Sequence, residues 1–163
     1  MDELVCIGKI INFFGIKGEL KVLSDFDKKD KAFKVGMHVL INNEEFVISS
    51  IRKHKNYILM TINNMYDINL ITKYIGYNIY VKMSDLNLKE NEYLLEELIN
   101  SKVMDDGVLL GEVIDIINSS NCSYVKVLYN KKEYLIPLVD AYIKSFDKSK
   151  KILNTINAKD LII

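Results

Sequence analysis

Apolar and polar positions alternate in short runs along most of the chain, the period of strands with one buried face. Residues 4–11 are apolar and rich in β-branched side chains. Across residues 19–24, Leu20 and Val22 fall on one face and Glu19 and Lys21 on the other. His38-Val39-Leu40-Ile41 and Phe46-Val47-Ile48 flank Asn42-Asn43-Glu44-Glu45, which reads as a hairpin because asparagine tolerates positive φ. Residues 57–62 and 78–81 are two more strands.

One helix interrupts them. Asp67 is placed to cap the first turn, Ile68, Ile71 and Ile75 recur at helical spacing, and Gly76 stands where a left-handed end residue is wanted. Residues 84–92 then lose the alternation to Asp, Asn, Lys and Glu and read as a linker. Strands resume at 102–104, turn at Asp105-Asp106-Gly107, and continue through 110–116. Residues 124–129 and 133–136 bracket Asn130-Lys131-Lys132, a second hairpin. Pro137, the single proline, ends that strand because it cannot donate to a ladder. Ile152-Leu153 begins a final short strand. The expected fold is mainly β: two small barrels, residues 1–83 and 93–163, joined by 84–92, with one short helix in the first.

Composition supports packed cores: 49% of the 163 residues are hydrophobic. The 22 basic and 22 acidic side chains balance, so binding that rests on wholesale phosphate neutralisation is excluded and any RNA contact is local. The halves differ. Residues 1–83 carry 12 basic against 9 acidic side chains, net +3, and residues 84–163 carry 10 against 13, net −3. Cys6 and Cys122 form no CxxC and suit a reducing cytoplasm. The acidic start, Met1-Asp2-Glu3, lacks a signal peptide's apolar run, and no stretch is long enough to span a membrane.

Catalytic constellations are not evident. His38 and His54 are the only histidines, and His38, before an apolar strand, reads as structural. The adjacent carboxylates Glu96-Glu97 and Asp105-Asp106 read as solvated, since strand neighbours point to opposite faces. Gly15-Ile16-Lys17-Gly18 is literally a GxxG, but strands flank it, so it reads as a turn and not as an RNA clamp between helices. Lys17 and Lys21 beside it are placed to meet phosphate. Arg52-Lys53-His54-Lys55, the densest basic run, reads as a loop between strands and a phosphate-contact candidate. Lys28-Lys29-Asp30-Lys31, diluted by acids, reads as solvated.

Three motifs, taken in order, resemble one family. Gly8-Lys9-Ile10 followed by Gly15-Ile16-Lys17-Gly18-Glu19-Leu20-Lys21-Val22 is similar to the N-terminal signature of the RimM family. Leu110-Gly111-Glu112-Val113, and Tyr134 through Lys144 with Asp147 and Lys151-Ile152, are similar to its PRC-barrel half. The sequence departs from the family pattern at Asn12 and Asn100, where glycine is usual, at Phe14, often histidine, and at Tyr93-Leu94, often two aromatics.

The resemblance implies a translation-factor-like N-terminal barrel and a C-terminal PRC barrel. It implies a non-enzymatic, cytoplasmic factor without cofactor or metal that assists late assembly of the small (30S) ribosomal subunit, head maturation and 16S rRNA processing. The implied partners are the free small subunit with its rRNA and small-subunit ribosomal protein nineteen; the chain itself is expected to be a monomer. Tyr93, Leu94 and Leu95 become candidates for partner or interdomain contact, with Asp140 and Tyr142 in a surface loop. Lys17, Lys21, Arg52, Lys53, His54 and Lys55 become the RNA-facing candidates, and Gly8, Gly15, Gly18, Gly111 and Pro137 the structural turns. The rival readings are a flavin-type β-barrel enzyme and a general PRC-barrel adaptor.

Overall fold

The computed structural model describes residues 3–119 and 121–163, so Met1 and Asp2 of the acidic start lie outside the described residues. The chain divides into two compact units, Met1–Leu88 and Lys89–Ile163.

The first unit is a closed six-stranded barrel. Its strands are β1 (Leu4–Phe14), β2 (Glu19–Leu23), β3 (His38–Ile41), β4 (Glu44–His54), β5 (Tyr57–Ile62) and β6 (Asn78–Lys82), in the order β1-β2-β5-β4-β3-β6. Alternation places Ile7, Leu20, Val39, Ile48, Met60 and Ile79 inside, each at most 1% exposed. Burying such side chains contributes about 1.5–3 kcal/mol apiece. β1 runs past its expected end at Ile11: it pairs with β6 from Leu4 to Lys9 and with β2 from Lys9 to Phe14, the latter ladder carrying a bulge between Ile10 and Asn12. The Asn42-Asn43 turn is tighter than four residues: both asparagines are left-handed (φ 51° and 63°), and β4 starts at Glu44.

The helix beginning after Asp67 is present but brief. Asp67 Oδ1 accepts the Asn69 N–H (2.9 Å), α2 covers Ile68–Ile71, and a 3₁₀ turn, Thr72–Tyr74, replaces the rest. Gly76 is left-handed (φ 95°), yet its N–H donates to the Ile10 carbonyl (2.7 Å) and so ties the segment to β1. A further helical turn, α1 (Lys29–Ala32), occupies the charge run read as solvated; Ala32 and Phe33 are buried, so the run is anchored on one side. His38 is exposed, with Nδ1 2.8 Å from Glu45 Oε1. Within the expected linker, Met83–Leu86 forms a 3₁₀ turn and Leu86 is 1% exposed. That apolar side chain is buried within the first compact unit, Met1–Leu88.

In the second unit β7 (Lys102–Asp105), β8 (Val108–Asn118), β9 (Ser123–Tyr129), β10 (Lys132–Pro137), β11 (Ile143–Asp147) and β12 (Ile152–Thr155) form one six-stranded sheet in the order β10-β9-β8-β7-β12-β11. β12 lies parallel to β7; the other pairs are antiparallel. Val103, Val113, Val127, Ile136 and Leu153, from five different strands, share one core. Pro137 closes β10, and Leu138 N–H donates to the Ser123 carbonyl immediately after it. Asn100, where the resemblance has glycine, is left-handed at φ 69°, a conformation asparagine accepts at modest cost.

The carboxylate pair Asp105-Asp106 is not jointly solvated. Asp105 is 4% exposed, and its Oδ1 accepts from Thr155 Oγ1 (2.8 Å) and the Ala158 N–H (3.0 Å), joining β7 to β12 and the segment beyond. Asp106 is the left-handed turn residue. Glu97 likewise has a structural use, accepting the Leu94 N–H at 2.9 Å.

Candidate functional site

The outer face of β1-β2-β5-β4 gathers three of the six basic candidates, Lys21, Arg52 and His54. Strand register sets Phe14 opposite Glu19, Lys21 and Arg52 on either side of Leu59, and His54 opposite Tyr57. Leu59 faces outward by register yet is fully buried. Arg52 grips Glu19 with both branches, Nε to Oε2 and Nη2 to Oε1, each 2.8 Å. Its guanidinium also stands 5.4 Å from the Phe14 ring centre, and His54 packs tilted on the same ring at 4.8 Å. Lys21 Nζ lies 4.1 Å from the Tyr57 ring centre. The hydrogen bond from Arg52 holds the Glu19 carboxyl below its ordinary range, with partial burial opposing and the Arg52, Lys17 and His54 charges adding to the lowering.

This geometry corrects the loop reading of residues 52–55. Arg52, Lys53 and His54 belong to β4, and only Lys55 (φ 55°) and Asn56 turn. Alternation therefore divides the run: Arg52 and His54 join the outer face, whereas Lys53, opposite Ile58, falls on the other side. Arg52 also spends its fork on Glu19. Exposed Lys17 and Lys55 sit in the two turns. Phe14, Glu19 and Tyr57 were not among the sequence candidates; they come from three strands whose register no local pattern reveals.

The glycines of the turns act sterically. Gly18 is buried at φ 82°, and a β-carbon there would overlap the Met65 carbonyl oxygen and press on Tyr66 and Asp67. The Ile68 N–H donates to the Ile16 carbonyl, so the Gly15–Gly18 turn docks on the entry to α2. Gly15 is left-handed in open space. Gly8 backs onto Leu23 and Phe33, and Gly111 onto the Leu128 carbonyl.

In the second unit, Tyr93 packs edge-on against Phe146 (5.0 Å, 65°), and burial pushes its phenol up. Leu95 and Tyr142 also lie partly buried against the core. Leu94 is 1% exposed. Asp140 is exposed in a loop that is pinned by the Tyr142 and Ile143 N–H groups donating to the Val139 carbonyl, and by Ile156 N–H donating to Tyr142. Among the described residues, no group of three or more His, Cys, Asp or Glu is placed to hold a metal ion, and no helix is long and apolar enough to cross a membrane.

The model of the RimM N-terminal domain matches residues 5–86. A ribosome maturation factor RimM from Exiguobacterium sibiricum is 36% identical, with 91% of this chain and 92% of the relative covered; one from Staphylococcus aureus is 36% identical over 91% and 93%. The chain belongs to the RimM family. Among solved structures it is similar to a 16S ribosomal RNA processing protein RimM from Pseudomonas aeruginosa, with TM-score 0.47, 23% identity and 97% and 99% of the two chains covered. RimM membership thus extends beyond the N-terminal motif, since the curated relatives align through both units, and it gives the chain a role in ribosome biogenesis.

Proposed function

We propose that this RimM chain is a non-enzymatic, cytoplasmic accessory factor for late assembly of the small ribosomal subunit, promoting head maturation and efficient 16S rRNA processing. The observation that carries the reading is the relatives' shared name, ribosome maturation factor, at 36% identity across nine-tenths of the chain. The work is done by binding. A factor that holds the native-like head more tightly than misfolded forms drives maturation by mass action.

The two units take different partners in this reading. The outer face of the basic first unit, with Lys17, Lys21, Arg52 and Lys55, lies towards rRNA phosphates. The acidic second unit, as a PRC barrel, engages the basic ribosomal protein nineteen through the surface around Tyr93, Leu95, Asp140 and Tyr142. Residues 1–83 and 93–163 are the two functional modules, and the factor acts as a monomer.

Co-sedimentation with purified small subunits at moderate salt tests the reading. Retention by free subunits and weaker retention by whole ribosomes is expected; failure to bind free subunits would remove it. For the partner surface, Tyr93→Ala is expected to weaken binding to protein nineteen in calorimetry, while Tyr93→Phe, which keeps the packing on Phe146, retains it. Equal affinities for all three chains would sink the Tyr93 assignment.

A further inference from the structure

The side of the first barrel formed by β1, β6 and β3 carries a 410 Å³ groove that no part of the reading above uses. Its size is in the range of small-ligand sites. Tyr77 and Tyr80 supply ring surface, Tyr77 being 40% exposed, and Asn42, Asn43 and Asn78 supply amides. Asn78 Nδ2 lies 3.5 Å from the Tyr80 hydroxyl, the limit of a hydrogen bond, so the amide is weakly engaged. None of the lining residues is charged.

Charge stands at the two ends instead. Register sets Lys9 opposite Asn78 and Lys82 opposite Leu4, with Cys6, Tyr80 and Leu40 in one row between them. Along β6, Asn78, Tyr80 and Lys82 share the outer face, because Ile79 and Val81 are in the core. The stretch from Asn78 to Lys82 covers about 13 Å at strand rise. Both lysines are exposed, and neither is paired with a carboxylate among the described residues. The carboxylate next along the central row, Glu45 opposite Leu40, is engaged by His38.

Rings on the floor, amides beside them and cations at both ends match a chain of alternating bases and phosphates. A base offers a π-face to tyrosine and edge donors and acceptors to asparagine, and its flanking phosphates meet the lysines. We propose that this groove binds an unpaired stretch of RNA, with bases on Tyr77 and Tyr80 and phosphates at Lys9 and Lys82. The choice of RNA rests on the ribosome-maturation reading, and the groove would then present a second RNA contact on the barrel, distinct from the Arg52 face.

Fluorescein-labelled octamers of uridylate and of adenylate, titrated at low salt and followed by anisotropy, test the site in the full chain. Tyr80→Leu and Tyr77→Ala are expected to weaken binding roughly tenfold each, as loss of a stacked base does, and Tyr80→Phe to restore it. Lys9→Ala with Lys82→Ala is expected to reduce the salt slope by about 1.4, two phosphates' worth for a single strand. Cys6, exposed and opposite Tyr80 in the ladder, provides a reporter. In a Cys122→Ser background its alkylation is expected to slow when octamer is saturating.

Octamer binding that these variants leave unchanged, no octamer binding, or unprotected Cys6 would each overturn the proposal. Protection of Cys6 by extracted small-subunit proteins and not by RNA would give the groove to a peptide and overturn it as well. Sedimentation separates the two readings. If small subunits retain the Tyr80→Leu, Lys9→Ala, Lys82→Ala chain as well as the wild type, the groove assignment falls and the maturation reading stands. If the wild type binds octamer through the groove yet is not retained by subunits, the reverse holds.

Discussion

The two units close themselves by different means. In the first, every strand has two neighbours and the ladder runs right round, so main-chain hydrogen bonds leave no edge. In the second, the sheet ends at β10 and β11. Residues beyond the last strand cover β10: Leu135 N–H donates to Leu161, and Ile163 N–H to Glu133. Side chains carry more of the load there. Of the four buried polar side chains among the described residues, Ser101, Asp105 and Thr155 belong to the second unit and Thr61 alone to the first. A closed ladder tolerates polar substitution around it but depends on backbone geometry at its turns. An open sheet depends on the few polar groups that fasten its strands.

Gly18→Ala attacks the first of these dependences. Placing an L residue at φ 82° costs about 1–2 kcal/mol, and displacing the Met65 carbonyl adds about 1–3 kcal/mol of overpacking. A total of about 3–4 kcal/mol is expected, a large share of a small domain's stability. Gly15→Ala is the control: it is also left-handed but meets no atom within 4 Å, so only the conformational cost applies. Urea unfolding of both variants checks this, and equal losses would mean that docking on the α2 entry contributes nothing.

Asp105→Ala attacks the second. Thr155 Oγ1 would lose its 2.8 Å acceptor and keep only a 3.5 Å approach to the Met104 carbonyl, and the Ala158 N–H would lose its 3.0 Å acceptor, both inside the protein. Each orphaned group costs about 1–3 kcal/mol, of which part is recovered by local relaxation, so a loss of about 2–3 kcal/mol is expected. Asp105→Asn keeps one acceptor oxygen and is expected to lose about half as much. Denaturation with hydrogen-exchange readout at Ala158 checks both. An Asp105→Ala chain within 0.5 kcal/mol of wild type would mean that the strands of the second unit, like those of the first, hold by ladder and core alone.

The same contrast explains what the sequence made legible. Strand positions followed alternation, because Leu20, Val22, Val39 and Ile41 bury one face whatever the register. The tight turns followed asparagine and glycine at 42–43, 106–107 and 130–131, where positive φ is a local property. β11 was missed, since Lys144 and Ser145 interrupt its apolar pattern while a neighbouring strand supplies the ladder. Asp105 was misread because burial of a carboxylate is set by Thr155 and Ala158, fifty residues on. The Arg52 face was half legible. Its cations were visible as a run, but the Glu19 and Phe14 contacts depend on how β4, β5, β2 and β1 align. The RimM motifs carried the family, and family carried the functional expectation further than any residue chemistry did.

Glu19 and Arg52 are the surface counterpart of the buried Asp105, and the smallest effect is expected there. Glu19 is mostly covered, with 18% of its side chain exposed, but Arg52 is 53% exposed, so solvent screens the pair, and its small contribution shrinks further in high salt. The sign follows from the lowered carboxyl: the contribution is fully present above the ordinary carboxylate range and is lost as pH falls through the lower folded value. A carboxyl NMR titration is expected to place Glu19 below that range and, in Arg52→Ala, to return it upward. For Glu19→Gln, binding should respond in the opposite sense to stability; for Arg52→Ala the two fall together. Glu19→Gln releases the Arg52 fork for phosphate and is expected to raise small-subunit affinity severalfold and steepen its salt dependence, whereas Arg52→Ala lowers both. If both variants leave the salt slope untouched, the Arg52 face is a closed surface pair, and the first unit's contact with RNA lies elsewhere on the barrel.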